Sequence, residues 1–289
     1  MAMSDGHKTS RILVAGCGKL GGDIARALRD AGQVYGLRRN ADKVPEGVTG
    51  IQADLTRPET LHKVLPEALD IVIYCLTPSS YDEQGYHAAY VAGLSNLLQA
   101  LGQRPLARLF FISSTSVYAQ DDDSWVDEAS PAQPARLTGQ QILQGEQVAL
   151  NSLHPATVVR FSGIYGPGRG RFLEEVLEGR IDPQSPAPFS NRIHEHDAAR
   201  AVSHLSRLAL QGQALEEIYI ATDCVPVRLD AVVRWVREQV PCKPVGDGAR
   251  RGGRAGSKRC SNQRLLATGF EFRYPDYRAG YREMISRLS

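Results

Sequence analysis

The chain has 289 residues, 42% of them hydrophobic, which suits one large α/β domain or a nucleotide-binding domain with a smaller lobe. Its 34 basic residues nearly balance 32 acidic ones, and a net charge of +2 argues against nucleic-acid binding by the whole surface. No apolar run reaches the roughly 18 residues of a membrane span, and the polar start of the chain resembles a disordered leader rather than a secretory signal. The five cysteines show no C-x-x-C spacing, so neither disulfides nor a metal site are expected. We expect a cytoplasmic protein that does not bind membranes.

Short apolar runs alternate with segments of helical periodicity along most of the chain. The predicted strands are 11–15, 33–37, 71–76, 109–113, 156–161 and 217–221. The predicted helices are 22–31, 59–64, 86–101 and 197–210. Strands that alternate with helices pair in parallel through right-handed crossovers, so the pattern predicts an α/β fold with a doubly wound parallel sheet of the Rossmann type. The last part of the chain predicts a helix, a basic loop and an aromatic-rich tail.

A glycine-rich turn follows the first predicted strand. Residues 16–21 read G-C-G-K-L-G, which is the G-x-G-x-x-G pattern between a strand and a helix. One glycine makes the turn, the next lets the backbone approach a pyrophosphate, and the third lets the helix pack on the strand. The helix N-terminus then offers N–H groups to the phosphates. We expect a nicotinamide dinucleotide to bind at Gly16, Gly18, Lys19, Leu20 and Gly21.

The end of the second strand bears on which dinucleotide is preferred. Enzymes that use NAD usually place Asp or Glu there to bind the ribose 2′-OH, whereas this chain has Arg38 and Arg39. Because a guanidinium pairs with a 2′-phosphate, we predict NADP(H) over NAD(H); the alternative is that both are ordinary surface arginines. Asp54 can accept a hydrogen bond from the adenine amino group. The other expected cofactor contacts are Leu55 beside it, at the end of a third strand, and Leu76 and Thr77 at the fourth strand.

Four further segments carry distinctive motifs. They read V-A-G-L-S-N-L-L at 91–98, S-S-T-S-V-Y at 113–118, R-F-S-G-I-Y-G-P-G at 160–168, and N-R-I-H at 191–194 followed by Asp197. These motifs resemble those of the extended short-chain dehydrogenase/reductase family, also called the NAD-dependent epimerase/dehydratase family. The resemblance covers nearly the whole chain. We expect a Rossmann domain in residues 1–165 and 191–226, and a small substrate-binding lobe in 166–190 and 227–289.

The chain departs from this family where its catalytic helix carries Y-x-x-x-K. Thr138 stands at the Tyr position and Ile142 at the Lys position, although the Glu that often follows is present as Glu146. In the family, the Tyr hydroxyl transfers a proton and the Lys lowers its pKa. A threonine hydroxyl is shorter and less acidic, and losing such a general acid typically costs about 10²–10⁴ in rate. The resemblance therefore implies an atypical member.

Other family positions narrow the chemistry. Ser114 is retained where the family places the hydroxyl that donates to the substrate oxygen. Thr115 and Ser116 replace the Asp-Glu pair of sugar dehydratases. Ser190 replaces the arginine that holds a nucleotide-sugar pyrophosphate, with Arg192 out of register, so neither that dehydration nor a nucleotide sugar is favoured. The candidate catalytic residues are Ser114, Thr138, Tyr165 and His194, and further candidates for the proton donor are Tyr81, Tyr86 and His87. Tyr165 and His194 also have a purely structural interpretation.

Two functional hypotheses remain open. The first is an NADP(H)-dependent oxidoreductase or epimerase that acts on an unknown small molecule without the usual Tyr/Lys pair. The second is a non-catalytic NADP(H)-sensing regulatory or binding protein, favoured by the similarity of residues 36–40 to sensing regulators of this fold. The basic loop 246–259 is either a solvated loop or a clamp for an anionic substrate or cofactor phosphate. Relatives often dimerise through helices near 86–101 and 138–151, and the sequence neither supports nor excludes a homodimer.

Overall fold

The computed structural model describes residues 9–184, 186–250 and 256–288, which form two units. The first unit contains residues 9–112, 144–158 and 202–217. The second unit contains residues 113–143, 159–184, 186–201, 218–250 and 256–288. These units are defined by contacts within the chain, so the expected division into a Rossmann domain and a substrate-binding lobe stays a prediction. Residues 1–8 of the leader expected over 1–10, and two arginines of the basic loop, Arg251 and Arg254, lie outside the described residues.

The secondary structure alternates between strands and helices. The strands are β1 (Arg11–Ala15), β2 (Gln33–Arg38), β3 (Thr49–Gln52), β4 (Ile71–Tyr74), β5 (Arg108–Ser114), β6 (Trp125–Val126), β7 (Ala156–Phe161), β8 (Gly163–Tyr165), β9 (Phe189–Ser190), β10 (Arg192–His194), β11 (Ile218–Ala221), β12 (Val227–Arg228) and β13 (Arg259–Cys260). The helices are α1 (Lys19–Ala27), α2 (Glu83–Tyr86), α3 (Gly93–Leu101), α4 (Leu137–Leu150), α5 (Arg171–Leu177), α6 (Glu195–Leu210), α7 (Leu229–Gln239), α8 (Gln263–Leu266) and α9 (Tyr277–Ser286). A π-helical segment, His87–Ala92, joins α2 to α3.

In the described residues, seven strands form one sheet in the order β11-β7-β5-β4-β1-β2-β3. Strand β1 pairs in parallel with β2 on one side and with β4 on the other, so that Ala15 lies opposite both Leu37 and Tyr74. The order of the chain through the sheet reverses between β1 and β4, and in doubly wound sheets ligands bind beyond the strand ends at such a point. This topology confirms the predicted α/β class.

The central strands are apolar because they are covered on both faces. Every residue of β4, which reads I-V-I-Y, is buried, as parallel strands between two helical layers require. Helix α1 covers the sheet with a face that includes Leu20, Ile24 and Ala25, all buried. Within the described residues, none of the helices combines the length and the apolar character that crossing a membrane would take.

The predicted strands are confirmed, with ends that shift by no more than two residues. The helix predicted over 59–64 is wrong, because only a 3₁₀-helix forms at Pro58–Leu61 and Lys63 has a positive φ of 59° that a helix cannot continue through. The sequence predicted an aromatic-rich tail at the end of the chain but not that part of it forms helix α9. Its Tyr277 and Tyr281 are four residues apart, so they lie on one face and are buried together.

The second unit has a hydrophobic core of its own. The short strand pairs β8–β10, β9–β12 and β6–β13 also belong to this unit. Its buried side chains come from helices α5, α7 and α9 and include Leu173, Val176, Val232 and Met284. The aromatic residues Tyr277 and Tyr281 of α9 are therefore part of a packed interior.

Candidate functional site

The glycine turn is fixed by backbone contacts within the first unit. Gly16 has a φ of +94°, and a Cβ on it would lie 2.4 Å from the carbonyl oxygen of Cys75. The N–H groups of Gly16 and Cys17 both donate to the carbonyl oxygen of Leu37, at 3.0 Å each. A Cβ on Gly21 would lie 2.4 Å from the carbonyl oxygen of Gly16. Glycine is therefore required at positions 16 and 21 by the fold itself.

Gly18 is different, because a Cβ on it would have no atom within 4 Å. It is the N-cap residue of α1, and no side chain caps the helix there. The first turn of α1 also has no acidic residue, so its partial positive charge is not offset locally. An open space in front of an uncapped helix N-terminus fits the pyrophosphate of a dinucleotide.

A cavity of about 350 Å³ lies in front of this turn, and we call it the first-unit cavity. It brings together most of the predicted cofactor residues. These are Gly16 and Gly18 of the turn, Arg38 and Arg39 at the end of β2, Asp54 and Leu55 beyond β3, and Leu76 and Thr77 beyond β4. The other three, Lys19, Leu20 and Gly21, form the first turn of α1 and do not line the cavity.

The two arginines at the end of β2 have different surroundings. Nη1 of Arg38 donates to the carbonyl oxygens of Cys17 (3.0 Å) and Lys43 (2.7 Å), so this side chain holds the loop in place. Arg39 is exposed and makes no hydrogen bond or ion pair within the part of the chain that the structure describes. Lys43 also lines the cavity, and the sequence reading missed it because it follows the strand by several residues. Arg39 and Lys43 are thus available to an anionic group.

Asp54 also lines the first-unit cavity, beyond the end of β3. Its Oδ1 accepts hydrogen bonds from the N–H (3.0 Å) and the hydroxyl (2.7 Å) of Thr56, which fixes the carboxylate at the start of a turn. The carbonyl oxygen of the next residue, Leu55, accepts from Nδ2 of Asn96 at 2.9 Å. Asn96 belongs to the motif at 91–98, so this motif holds the part of the cavity wall that contains Leu55.

In the second unit, the motif at 113–118 lies beside the start of α4. Ser114 ends β5 and is half-buried, and its Oγ accepts a hydrogen bond from the N–H of Ser116 at 3.2 Å. Half-buried Thr138 is the second residue of α4, and a Cβ on its neighbour Gly139 would lie 3.2 Å from the carbonyl oxygen of Ser116. Ile142 is only 3% exposed, so the family's lysine position is part of the apolar core here.

Tyr118, the last residue of that motif, has a structural role. Its hydroxyl donates to the carbonyl oxygen of Asp127 at 2.8 Å and accepts from Nη1 of Arg160 at 2.7 Å. Burial raises the pKa of Tyr118 to about 12, although the charge of Arg160 opposes the shift. Arg160 begins the motif at 160–168, so two family motifs meet in one buried hydrogen bond.

Tyr165 and His194 contact each other, with ring centroids 5.4 Å apart and planes nearly perpendicular. Tyr165 is buried and stacks on Tyr281 at 4.7 Å, and burial raises the pKa of its phenol well above the ordinary range. His194 stacks on Tyr274 at 3.8 Å, and its Nδ1 accepts from the N–H of His196 at 3.3 Å. Burial lowers the pKa of His194 in spite of the nearby Glu283 carboxylate. Both side chains are therefore neutral at neutral pH and are packed into the core.

The end of the basic loop is not solvated. Lys258 is 2% exposed, and burial lowers the pKa of its amine. The amide of Asn191 bonds to both sides of this residue, donating to the carbonyl oxygen of Lys258 (2.9 Å) and accepting from the N–H of Cys260 (2.8 Å). The interpretation of 246–259 as a solvated loop is therefore wrong for Ser257 and Lys258, which are buried. The burial of Lys258 could not be predicted from the sequence, because Asn191, which bonds to its carbonyl oxygen, is distant along the chain.

Residues 12–185 match the family described as the NAD dependent epimerase/dehydratase family. The chain belongs to this family. A solved structure from Methylobacillus flagellatus, assigned to the same family, is 37% identical, with a TM-score of 0.82 over 97% of this chain and 99% of that one. A dTDP-glucose 4,6-dehydratase from Bacillus anthracis, solved in complex with NAD, shares the fold at 16% identity, with a TM-score of 0.76 and 96% of each chain covered.

Two more distant relatives are named reductases. The dTDP-4-dehydrorhamnose reductase of Mycobacterium tuberculosis is 26% identical over 230 residues, which cover 72% of this chain and 69% of the relative. The 3-diazoavenalumate denitrifying reductase of a Streptomyces species is 27% identical over 215 residues, which cover 66% and 70%. The family thus includes reductases as well as epimerases and dehydratases, and its members bind NAD or NADP.

Proposed function

We propose that this chain is an NADP(H)-dependent reductase of a small carbonyl or imine compound. The observation that carries the proposal is the first-unit cavity, where Gly18 opens the helix N-terminus and Arg39 and Lys43 stand at one edge. The names of the two related reductases support reduction over epimerisation.

The residues of the first-unit cavity would each hold one part of the cofactor. The backbone at Gly18 and the first turn of α1 would bind the pyrophosphate. Asp54 would accept from the adenine amino group, and Arg39 and Lys43 would bind the 2′-phosphate, which a carboxylate at this edge would repel. When bound, the reduced nicotinamide supplies a hydride for the substrate.

Ser114 is the residue that we assign to the substrate oxygen. Because its Oγ accepts the N–H of Ser116, its own O–H proton is free to point away from that bond and donate to another acceptor. Such a donor stabilises the negative charge that develops on the oxygen during reduction. Thr138 and Ile142 replace the family's Tyr and the Lys that activates it, so we assign the final proton to water relayed by the Ser114 and Thr138 hydroxyls.

Cofactor titration and a substrate panel test this proposal together. Fluorescence titration should show tighter binding of NADPH than of NADH. Incubation with aldehydes, ketones and imines should then consume NADPH with at least one of them. Equal or tighter NADH binding would contradict the cofactor preference, and tight NADPH binding without any turnover would contradict the reductase.

A further inference from the structure

The second unit contains a cavity of its own, of about 430 Å³, which we call the second-unit cavity. Strands β8 and β10 and helices α5, α7 and α9 contribute to its walls. Four arginines line it, Arg169, Arg171, Arg192 and Arg250, against one carboxylate, Glu175. Glu195 adds a second carboxylate, 3.9 Å from Nε of Arg169, but the arginines still outnumber the carboxylates, so the cavity has an excess of positive charge.

Arg192 is the buried member of this group, with 6% exposure. Its guanidinium carbon lies 5.7 Å from the ring centroid of Phe172 and 5.8 Å from those of Tyr277 and Tyr281. Nη2 donates to Oγ of Ser190, but Nε and Nη1 are buried without a hydrogen-bond partner among the described residues. The Tyr281 hydroxyl interacts with this guanidinium, which remains charged in proteins, but no group of the described residues meets Nε or Nη1 with hydrogen-bond geometry. Such an arrangement is costly unless something binds to it.

The carboxylates near Arg192 do not neutralise this charge. Glu175 is already paired with Arg171 at 3.0 Å and with Arg250 at 2.6 Å. Asp223 lies close enough to interact electrostatically with Arg192, but burial raises the pKa of Asp223 to about 7. At neutral pH that carboxyl is therefore charged only part of the time. The second-unit cavity retains an excess of positive charge in a site with aromatic walls, where charge interactions are stronger than in water.

We propose that the second-unit cavity binds the anionic group of the substrate, a carboxylate or a phosphate, with Arg192 as the residue that recognises it. The link to a substrate rests on the proposed reductase function; the binding of an anion does not. Arg250 and Arg169 are at least a third exposed, and although they pair with Glu175 and Glu195 they add to the positive potential that attracts an anion. The substrate of this chain is accordingly a small carbonyl or imine compound that also carries a carboxylate or phosphate.

Calorimetric titration of the full chain without cofactor tests the site directly. The probes are inorganic phosphate and succinate, and the variants are Arg192→Gln, Arg192→Lys and Arg250→Gln. Arg282→Gln is the matched control, because Arg282 is exposed and adjoins Tyr281 without lining the cavity. We expect at least one probe to bind to the unmodified chain. Its dissociation constant should rise by about tenfold or more in the two Gln variants, less in Arg192→Lys, and not in the control.

The outcomes separate this inference from the reductase proposal. Binding of phosphate alone identifies a phosphorylated substrate, and binding of succinate alone identifies a carboxylate. Failure of both probes to bind at millimolar concentration, or equal binding by all variants, overturns the inference. If Arg192→Gln does not fold, the dissociation constant measured for Arg250→Gln decides the question. Arg250 is partly exposed, so its substitution should leave the fold intact. An anion site confirmed in a chain that never oxidises NADPH would leave the inference standing and overturn the reductase.

Discussion

Gly16 lies so close to Cys75 that a Cβ on the glycine would be 2.4 Å from the carbonyl oxygen of the cysteine. Two residues later, a Cβ on Gly18 would meet no atom within 4 Å. The two glycines of one motif therefore serve different purposes. Gly16 is needed for the chain to fold, whereas the open space at Gly18 is where we propose that the cofactor approaches the backbone.

Alanine substitutions should separate these purposes. Gly16→Ala combines a positive φ with a backbone clash and should lower the free energy of unfolding by several kcal/mol, at least about 3. Gly18→Ala should cost no more than about 1 kcal/mol, as a weaker N-cap, but should weaken NADPH binding by about tenfold or more. Thermal unfolding and fluorescence titration measure the two effects. The distinction fails if Gly18→Ala binds NADPH as the unmodified chain does.

Arg39→Gln should change cofactor preference without changing stability. Arg39 is exposed in the first-unit cavity, so its loss should raise the dissociation constant of NADPH by roughly tenfold and leave that of NADH nearly unchanged. Arg57→Gln, an exposed arginine outside the cavity, is the control and should change neither. Arg38→Gln should instead lower stability, because Nη1 of Arg38 holds two backbone carbonyls. An unaltered ratio of NADPH to NADH affinity in Arg39→Gln would contradict the assignment.

Ser114→Ala should lower kcat by about 10²-fold, since it removes one donor to the reacting oxygen. The substitution also frees the N–H of Ser116, so a control must report the cost of losing such a bond. Ser130→Ala provides it, because Oγ of Ser130 accepts the N–H of Asp127 at 2.9 Å. Steady-state rates with an active substrate should fall for Ser114→Ala alone. Equal rates for the two variants would show that Ser114 only shapes its turn.

Asp223 should make the protein less stable as the pH rises. Its pKa is raised from an ordinary 3.8 to about 7, chiefly by burial. Between these values the native state binds a proton that the unfolded state has lost, so the stabilisation present at low pH disappears as the pH passes through about 7. The free energy of unfolding should fall by about 2.6 kcal/mol from pH 5 to pH 8 through this group, at about 1.4 kcal/mol for each pH unit up to the raised pKa. Asp223→Asn should remove that fall, which denaturant unfolding at the two pH values can measure.

The control for this experiment is Asp247→Asn, which changes an exposed carboxylate of the same unit. It should keep the pH dependence of the unmodified chain. If Asp223→Asn kept the same pH dependence of unfolding as the unmodified chain, groups other than Asp223 would be its cause.

The sequence predicted those parts of the molecule that local pattern determines. Apolar runs such as β4 could be recognised as strands because parallel strands buried on both faces show little alternation of polar and apolar residues. The spacing of Gly16, Gly18 and Gly21 located the first-unit cavity, since the turn, the strand end and the helix start are neighbours in the chain.

Features that depend on distant contacts could not be predicted. Tyr165 appeared as a candidate acid, but its burial depends on Tyr281, which belongs to a helix near the other end of the chain. In the sequence, Arg192 was only an arginine out of register with the family's pyrophosphate-binding position. The three aromatic rings around it in the structure show that it is a buried cation. Lys258 appeared in a glycine-rich basic loop, which gives no indication that Asn191 fixes it.

Transfer of deuterium tests the reductase most directly. NADPH labelled at C4 of the nicotinamide, in each of the two positions separately, is incubated with the protein and the substrate panel, and the products are analysed by mass spectrometry. The account predicts a reduced product that gains one deuterium from one of the two labelled forms, at a rate that Ser114→Ala lowers. Tight NADPH binding with no deuterium in any product, the behaviour of a sensing protein, would contradict it.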